Sequence, residues 1–283
     1  MDETQYTESG KKDNETAIQK LDRLIGIEAV KEEVKMLQIK KEYNEKVGRN
    51  VEATFDLHYI IIGNSGTGKT TAARLLGEIM HELGYLGSGH TVKVTRMDLI
   101  AGYVGQTAIK TREKIEQAIG GVLFVDEAYS LAEDDFGQEA INEIIAAMTA
   151  KRGQFSLVLA GYPEQMNILM NSNPGFKRYF KTIYIEDYTS EELLKILHNF
   201  AEDFVFTPEY IQKSRQIFDF WIENKERNFG NAREVRKYLD ECETALYKRI
   251  SAEYNDESDI LEKVKKTLTG QDIPLKYSSI VGV

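Results

Sequence analysis

The sequence predicts an α/β domain, its parallel sheet covered by helices on both faces, followed by a small all-helical domain. Three observations predict it. Short, uninterrupted apolar runs alternate with helical patterns between residues 57 and 185. A glycine-rich loop, Gly63–Thr70, stands between the first of those runs and the helix behind it. From residue 188 onward the strand-like runs stop and only helical spacings remain.

The first strand is expected over Leu57–Ile62. The helix after Lys69 places Ala72, Leu76, Ile79 and Leu83 on one face. Val92–Met97 and Gly121–Val125 follow as strands, and Ile141, Ile144, Ile145 and Met148 stand at helical spacing. Phe155–Ala160 and Thr182–Ile185 complete the sheet. Thr189 with Glu192 three residues later reads as a capping box, opening a helix with Leu193, Leu197, Phe200 and Phe204. Thr207-Pro208 is a cap with a first-turn proline, before Ile211, Phe218, Trp221 and Ile222. Asn231 opens a stripe of Val235, Leu239, Cys242, Leu246 and Ile250. A last helix after Ser258 carries Leu261, Val264 and Leu268 and ends at Gly270. The expected division is a flexible segment over 1–20, the α/β domain over 21–187, a helical domain over 188–270 and a tail over 271–283.

Composition narrows the class. The chain has 283 residues, 42% hydrophobic and 29% charged, an ordinary globular balance. No apolar run approaches the roughly 18 residues of a membrane helix. Met1–Lys20 is polar with no signal-peptide core, so a cytoplasmic protein is expected. The lone cysteine, Cys242, allows no intrachain disulfide and falls on an apolar stripe, which makes it a core residue. His58, His81, His90 and His198 are scattered and form no metal-ligand spacing. A net charge of −10 argues against tight non-specific binding to nucleic acid, which needs clustered Lys and Arg.

Gly63-Asn64-Ser65-Gly66-Thr67-Gly68-Lys69-Thr70 matches the phosphate-loop pattern in its required setting, strand before and helix after. The glycines let backbone N–H groups converge on the β- and γ-phosphates at a helix N-terminus. Lys69 adds a point charge there, and the Thr70 hydroxyl is expected to ligate magnesium, so ATP and Mg²⁺ are the expected cofactors. Gly121–Val125 then ends in Asp126-Glu127. An apolar run followed by two acids is by itself most often a strand leaving the core. Two elements after a phosphate loop it reads instead as Asp126 reaching the magnesium shell and Glu127 polarising a water.

Together these blocks resemble the AAA+ ATPases, specifically the CbxX/CfxQ/SpoVK type. The resemblance runs from about Leu21 to Ile273 and is most specific at Leu21–Val34, Asp98–Thr107, Gly121–Leu131, Asp135–Ile141, Asn173–Phe176 and Gly230–Arg236. It implies a ring-forming, usually hexameric, ATPase with sites at subunit interfaces. It also implies that Ile25, Gly26 and Ile27 flank the adenine and that Arg233 reads the γ-phosphate. An arginine acting in trans is implied near Lys177–Phe180. There the family reads more like Arg-Ser-Arg-Phe, and Arg178 is the choice in this chain. A second departure comes after Leu159-Ala160-Gly161: many AAA+ proteins place Asn or Thr where this chain has Tyr162. Without the ordered blocks, Arg233 and Arg178 read as surface arginines.

Ala101-Gly102-Tyr103-Val104-Gly105 places an aromatic between glycines after the second strand. By itself this is an ordinary turn with a locally packed tyrosine. The resemblance makes it the loop that lines a central pore, with Tyr103 and Val104 touching substrate. The expected function is therefore ATP-driven remodelling of a protein client, sporulation-related. The alternatives are a red-type Rubisco activase-like role, a nucleic-acid-linked AAA+ motor and a nucleotide-gated scaffold.

Overall fold

A computed structural model describes residues 15–49, 57–103, 105–172, 177–227, 229–253, 264 and 266–280. The chain forms two compact units, one of residues up to 64 with 68–186, the other of Ser65–Thr67 with residues from 187 on. Among the described residues no helix is long and apolar enough to cross a membrane.

The first unit is built on a five-stranded parallel sheet of β1 (Tyr59–Gly63), β2 (Thr91–Val94), β3 (Val122–Val125), β4 (Ser156–Gly161) and β5 (Lys181–Ile185), in the order β2-β3-β4-β1-β5. Successive side chains on a strand face opposite ways, and the inner strands β1, β3 and β4 are buried on both faces, which is why their runs lack polar alternation; the edge strands β2 and β5 keep exposed positions. Tyr59, Ile61, Phe124, Val158 and Ile183 pack with α1 (Ala17–Arg23), α2 (Glu28–Lys46) and α3 (Lys69–Glu82). Ile60, Ile62, Leu123, Val125, Leu157 and Leu159 pack into a second core that includes Ile115, Ile141, Ile144 and Met166. Those four lie on α5 (Gln106–Gln117), α6 (Asp135–Ala150) and α7 (Pro163–Ser172). Each fully buried Leu, Ile or Val contributes about 1.5–3 kcal/mol, so these two layers supply most of the unit's cohesion.

Three expectations change at element ends. The strand expected over Val92–Met97 stops at Val94, because Thr95 and Asp98 form a capping box that starts the short helix α4 (Arg96–Leu99). Backbone bonding to Asp98, whose carboxyl is held below its usual range chiefly by that N–H contact, outcompetes further extension. The first strand begins at Tyr59 rather than Leu57. Residues 17–20, expected within a flexible segment, are helical, with Thr16 and Gln19 forming a capping box and Ala17 and Leu21 buried; residues 1–14 lie outside the described residues.

The second unit is helical, as expected, through α8 (Ser190–Phe200), α9 (Pro208–Glu223) and α10 (Ala232–Glu253). The Thr189–Glu192 capping box and the Thr207 cap before Pro208 both form. Val235, Leu239, Cys242, Leu246 and Ile250 are all buried, and burial pushes the Cys242 thiol up to about 12, as a core cysteine requires. One strand pair was not anticipated. Leu268, expected in a terminal helix, lies in β7 (Thr267–Leu268), parallel to β6 (Val205–Phe206). The N–H groups of Val205 and Thr207 donate to Lys266 and Leu268 carbonyls at 2.7 and 3.0 Å, which fixes that segment as extended. Most of the expected terminal helix, Leu261 included, lies outside the described residues.

The segment expected as a tail after residue 270 contributes to this unit's core. Tyr277 is buried against Trp221 and Tyr238. Asp272, with no exposed surface, accepts two bonds from Arg249 at 2.8 and 3.0 Å and two more from Thr269. Removing one partner of such a buried pair strands the other charge. Asp272→Ala is therefore expected to destabilise this unit by about 3 kcal/mol. Trp221 is the chain's single tryptophan, so denaturant unfolding followed by its fluorescence reports on this unit directly. An unchanged midpoint would mean the pair is dispensable.

Candidate functional site

In the first unit, β4 lies between β1 and β3, pairing Gly161 with Ile62 and Leu159 with Val125. The strands are parallel, so the segments behind them all emerge at one edge of the sheet: Gly63 and the glycine-rich loop after β1, Tyr162 after β4, and Asp126-Glu127 after β3. Ligand crevices in open parallel sheets form at this carboxyl edge.

The turn into α3 is made by Gly68 at φ 89°, a left-handed conformation that costs glycine little, so that Lys69 is the first helical residue. The N-cap, a glycine, offers this helix end no side chain of its own. The chain that leads into it, Gly63–Gly68, carries no acidic residue, the setting in which a helix end takes an anion. The Lys69 ammonium donates to the carbonyls of Gly63 (3.0 Å) and Asn64 (2.7 Å) and lies 5.2 Å from the centre of the Tyr162 ring. Thr70 is half-buried on the same first turn.

Asp126 is half-buried, and its Oδ2 lies 3.1 Å from the Lys93 ammonium. Lys93 is in register with Phe124, which faces the α3 side of the sheet, and this brings the Asp126 carboxylate to that face. Glu127 is exposed, with a left-handed backbone at φ 49°. That conformation is uncommon outside glycine and is held by Ser130, whose N–H and hydroxyl both donate to the Glu127 carbonyl at 3.0 and 2.7 Å. Arg96 ties down the same turn through the Ser130 carbonyl and the Asp134 carboxylate. Tyr129 packs on Tyr162 at 5.9 Å between ring centres. Burial, and then the Glu127 carboxylate, push its phenol up to about 12, so it stays neutral. Lys93, Arg96 and Tyr129 were not singled out from the sequence. Lys93 is visible only through the β2–β3 register, whereas Tyr129 lies inside the Gly121–Leu131 block.

The other expected site residues of this unit lie elsewhere on it. Gly26 and Ile27 both have positive φ, 68° and 54°, and make the turn between α1 and α2, with Ile25 half-buried and Ile27 buried. Tyr103 is 74% exposed. Its loop is anchored at both ends: the Ala101 N–H donates to Thr107 Oγ1 at 3.1 Å, and Lys110 donates to the Met97 and Ile100 carbonyls. Val104 and the Asn173–Phe176 block lie outside the described residues. Arg178 is exposed, stacked 4.8 Å over the Tyr179 ring and donating to its hydroxyl. It precedes β5, and Tyr59 pairs with Lys181 while Gly63 pairs with Ile185. Arg178 therefore sits at the opposite edge of the sheet from the loop, roughly 15 Å away along the strands.

The second unit holds Ser65–Thr67 together with Asn231 and Arg233. The Asn231 amide donates to the Ser65 carbonyl at 3.2 Å and to Asp187 at 2.8 Å, while its own oxygen accepts from the Tyr188 N–H. Arg233 is exposed and donates to the Ser65 hydroxyl at 2.6 Å. A Cβ at Gly66 would fall 2.2 Å from the Gly230 carbonyl oxygen, and its φ is 68°, so only glycine fits there.

Residues 59–186 match the family model described as ATPase family associated with various cellular activities (AAA), and residues 189–281 match the AAA lid domain. Protein CbbX of Cereibacter sphaeroides is 38% identical over 257 residues, covering 87% of this chain and 81% of that protein. The chloroplastic ribulose bisphosphate carboxylase/oxygenase activase of Cyanidioschyzon merolae is 38% identical over 245 residues, 82% of each chain. Stage V sporulation protein K of Bacillus subtilis is 35% identical over 273 residues, 89% of this chain and 80% of that protein. The chain belongs to the AAA family and is an ATPase of the group that contains these CbbX- and CfxQ-type proteins.

Proposed function

We propose that this ATPase is a protein-remodelling motor that binds Mg-ATP at the Gly63–Thr70 loop, works as a ring, and engages its client through Tyr103. The observation that carries the nucleotide assignment is the donor set at one sheet edge: a helix N-terminus entered through a glycine N-cap, the Lys69 ammonium and the Thr70 hydroxyl, with Asp126 after the neighbouring-but-one strand. This set fits a polyphosphate with a divalent cation. Gly63 to Gly68 would cradle the phosphates with backbone N–H groups, Thr70 and Asp126 would hold magnesium, and Ile25, Gly26 and Ile27 would flank the base. Magnesium supplies neutralisation of the phosphate charge. Glu127, exposed and acceptor-only when ionised, orients the attacking water and takes its proton. Arg233 is assigned to the γ-phosphate.

Ring assembly is argued from the place of Arg178. At the far edge of its own sheet it cannot approach its own loop without unpairing β5, so an Arg178 that acts in hydrolysis acts on a second copy. A hexamer is the assembly we propose. The motor reading draws on Tyr103, a large aromatic held in solvent on an anchored loop, suited to transient and sequence-tolerant contact with an extended chain. Tyr103→Ala is expected to leave ATP turnover within about twofold of the parent and to abolish remodelling of the client. If remodelling persists in that variant, the client path does not run through this loop.

The client class has two readings, both suggested by the names of the relatives: a sporulation-linked substrate and a carboxylase of the Rubisco kind. We favour the sporulation-type reading on the likeness to stage V sporulation protein K, which extends over 89% of this chain. Stimulation of turnover by inhibited Rubisco would select the second.

A further inference from the structure

We infer that Tyr162 is a positioning residue whose ring face, not its hydroxyl, holds the Lys69 ammonium at the phosphate loop. The inference rests on the proposal that Lys69 contacts the phosphates. The strand order places Tyr162 after β4, between the loop and the Asp126-Glu127 pair. The Lys69 ammonium lies 5.2 Å from its ring centre, within the ~6 Å range of a cation–π attraction, while the same ammonium donates to the Gly63 and Asn64 carbonyls. The ring thus adds a face to a seat that includes these two carbonyls.

The ring is itself fixed from behind. The Tyr162 carbonyl accepts the Met166 N–H at 2.9 Å, and Pro163 opens α7, so the Tyr162 backbone is set by the start of a helix. The residue before it is a glycine with no room for a side chain. A Cβ on Gly161 would stand 2.6 Å from Met166 Sδ and 2.8 Å from Tyr129 Cδ1. Met166 is fully buried, and the Tyr129 ring packs on Tyr162 at 5.9 Å. The Tyr129 ring thus backs the Tyr162 ring, while the crowding at Gly161 and the Met166 N–H hold the main chain that carries it. A lysine arm has four rotatable carbon–carbon bonds, and restraining it before the ligand arrives lowers the entropic cost of binding. Where a polar side chain at this position would contact water, the aromatic acts one step earlier, on the lysine.

The test is equilibrium binding of MgADP and of a non-hydrolysable MgATP analogue to the full chain, by calorimetry, with no turnover involved. Tyr162→Leu is expected to weaken binding of the ATP analogue by about 3- to 10-fold, the range of a partly exposed cation–π contact. Tyr162→Phe, which keeps the ring and loses the hydroxyl, is expected to restore affinity to within about twofold. In a Lys69→Ala background, Tyr162→Leu is expected to cost nothing further, because the ring then has no ammonium to hold. If Tyr162→Leu lowers thermal stability, Tyr162→Met, of similar length, takes its place. The inference is overturned if Tyr162→Phe binds as weakly as Tyr162→Leu, if Tyr162→Leu binds like the parent, or if the losses at Tyr162 and Lys69 simply add. Should Lys69→Ala alone leave affinity untouched, the phosphate-loop reading fails instead, whatever Tyr162 does.

Discussion

Glu127→Gln is expected to lower ATP turnover by about a hundredfold or more while nucleotide still binds. The amide is nearly isosteric with the carboxylate but cannot take the proton of the attacking water. The main chain at this position, at φ 49° and held through its carbonyl by Ser130, does not depend on side-chain charge, so the turn should persist. Loss of turnover with retained binding is thus the signature of a base rather than of a damaged site. Steady-state phosphate release, run beside the binding titration, separates the two. Unchanged turnover would remove Glu127 from the proposed role. The variant has a second use: on the proposed reading, a chain halted with ATP bound is expected to keep hold of its client, so affinity capture in the presence of ATP offers a direct route to the client's identity.

Arg178→Ala should be comparably severe, since an arginine supplied in trans to a transferring phosphoryl group is worth about 10³–10⁵ in rate. Its location makes a sharper experiment possible than loss alone. Arg178 and the Gly63–Thr70 loop lie at opposite edges of one sheet, so a chain lacking Arg178 still carries an intact loop, and a chain with Lys69→Ala still carries Arg178. Mixing these two inactive variants is expected to restore a fraction of the parental turnover, because some neighbours in a mixed ring pair a good loop with a good arginine. Restoration absent at every mixing ratio, with assembly confirmed by sedimentation, would mean that Arg178 does not act across a subunit boundary. Arg178 is held against Tyr179, and the cost of releasing it from that ring is small beside the predicted effect.

The elements legible in the sequence were those with the clearest physical signatures. Continuous apolar strands were legible because both faces of the sheet are covered, so Ile60 to Ile62 and Val122 to Val125 show no polar alternation. Caps were legible because Thr189 and Glu192, or Thr207 and Pro208, satisfy their helix ends within a few residues. What failed was set by contacts distant in sequence or by competition over a few residues. Leu268 continues a helical spacing, yet its backbone pairs with a strand more than 60 residues earlier. Met97 continues a β-rich run, yet the Thr95–Asp98 cap turns the chain first.

At the site the same division holds. The sequence alone determined the fold class and singled out the glycine-rich loop and the two acids behind the third strand as site candidates, because each needs only a residue pattern within one strand–turn–helix stretch. It left Tyr162 as an unexplained departure and passed over Lys93 altogether. Only the tertiary structure placed the Tyr162 ring over Lys69, the Lys93 ammonium on Asp126 and Arg178 at the far edge of the sheet. The physical reason is that strand order and register decide which side chains become neighbours, and those are fixed by packing between elements, not by any spacing along the chain.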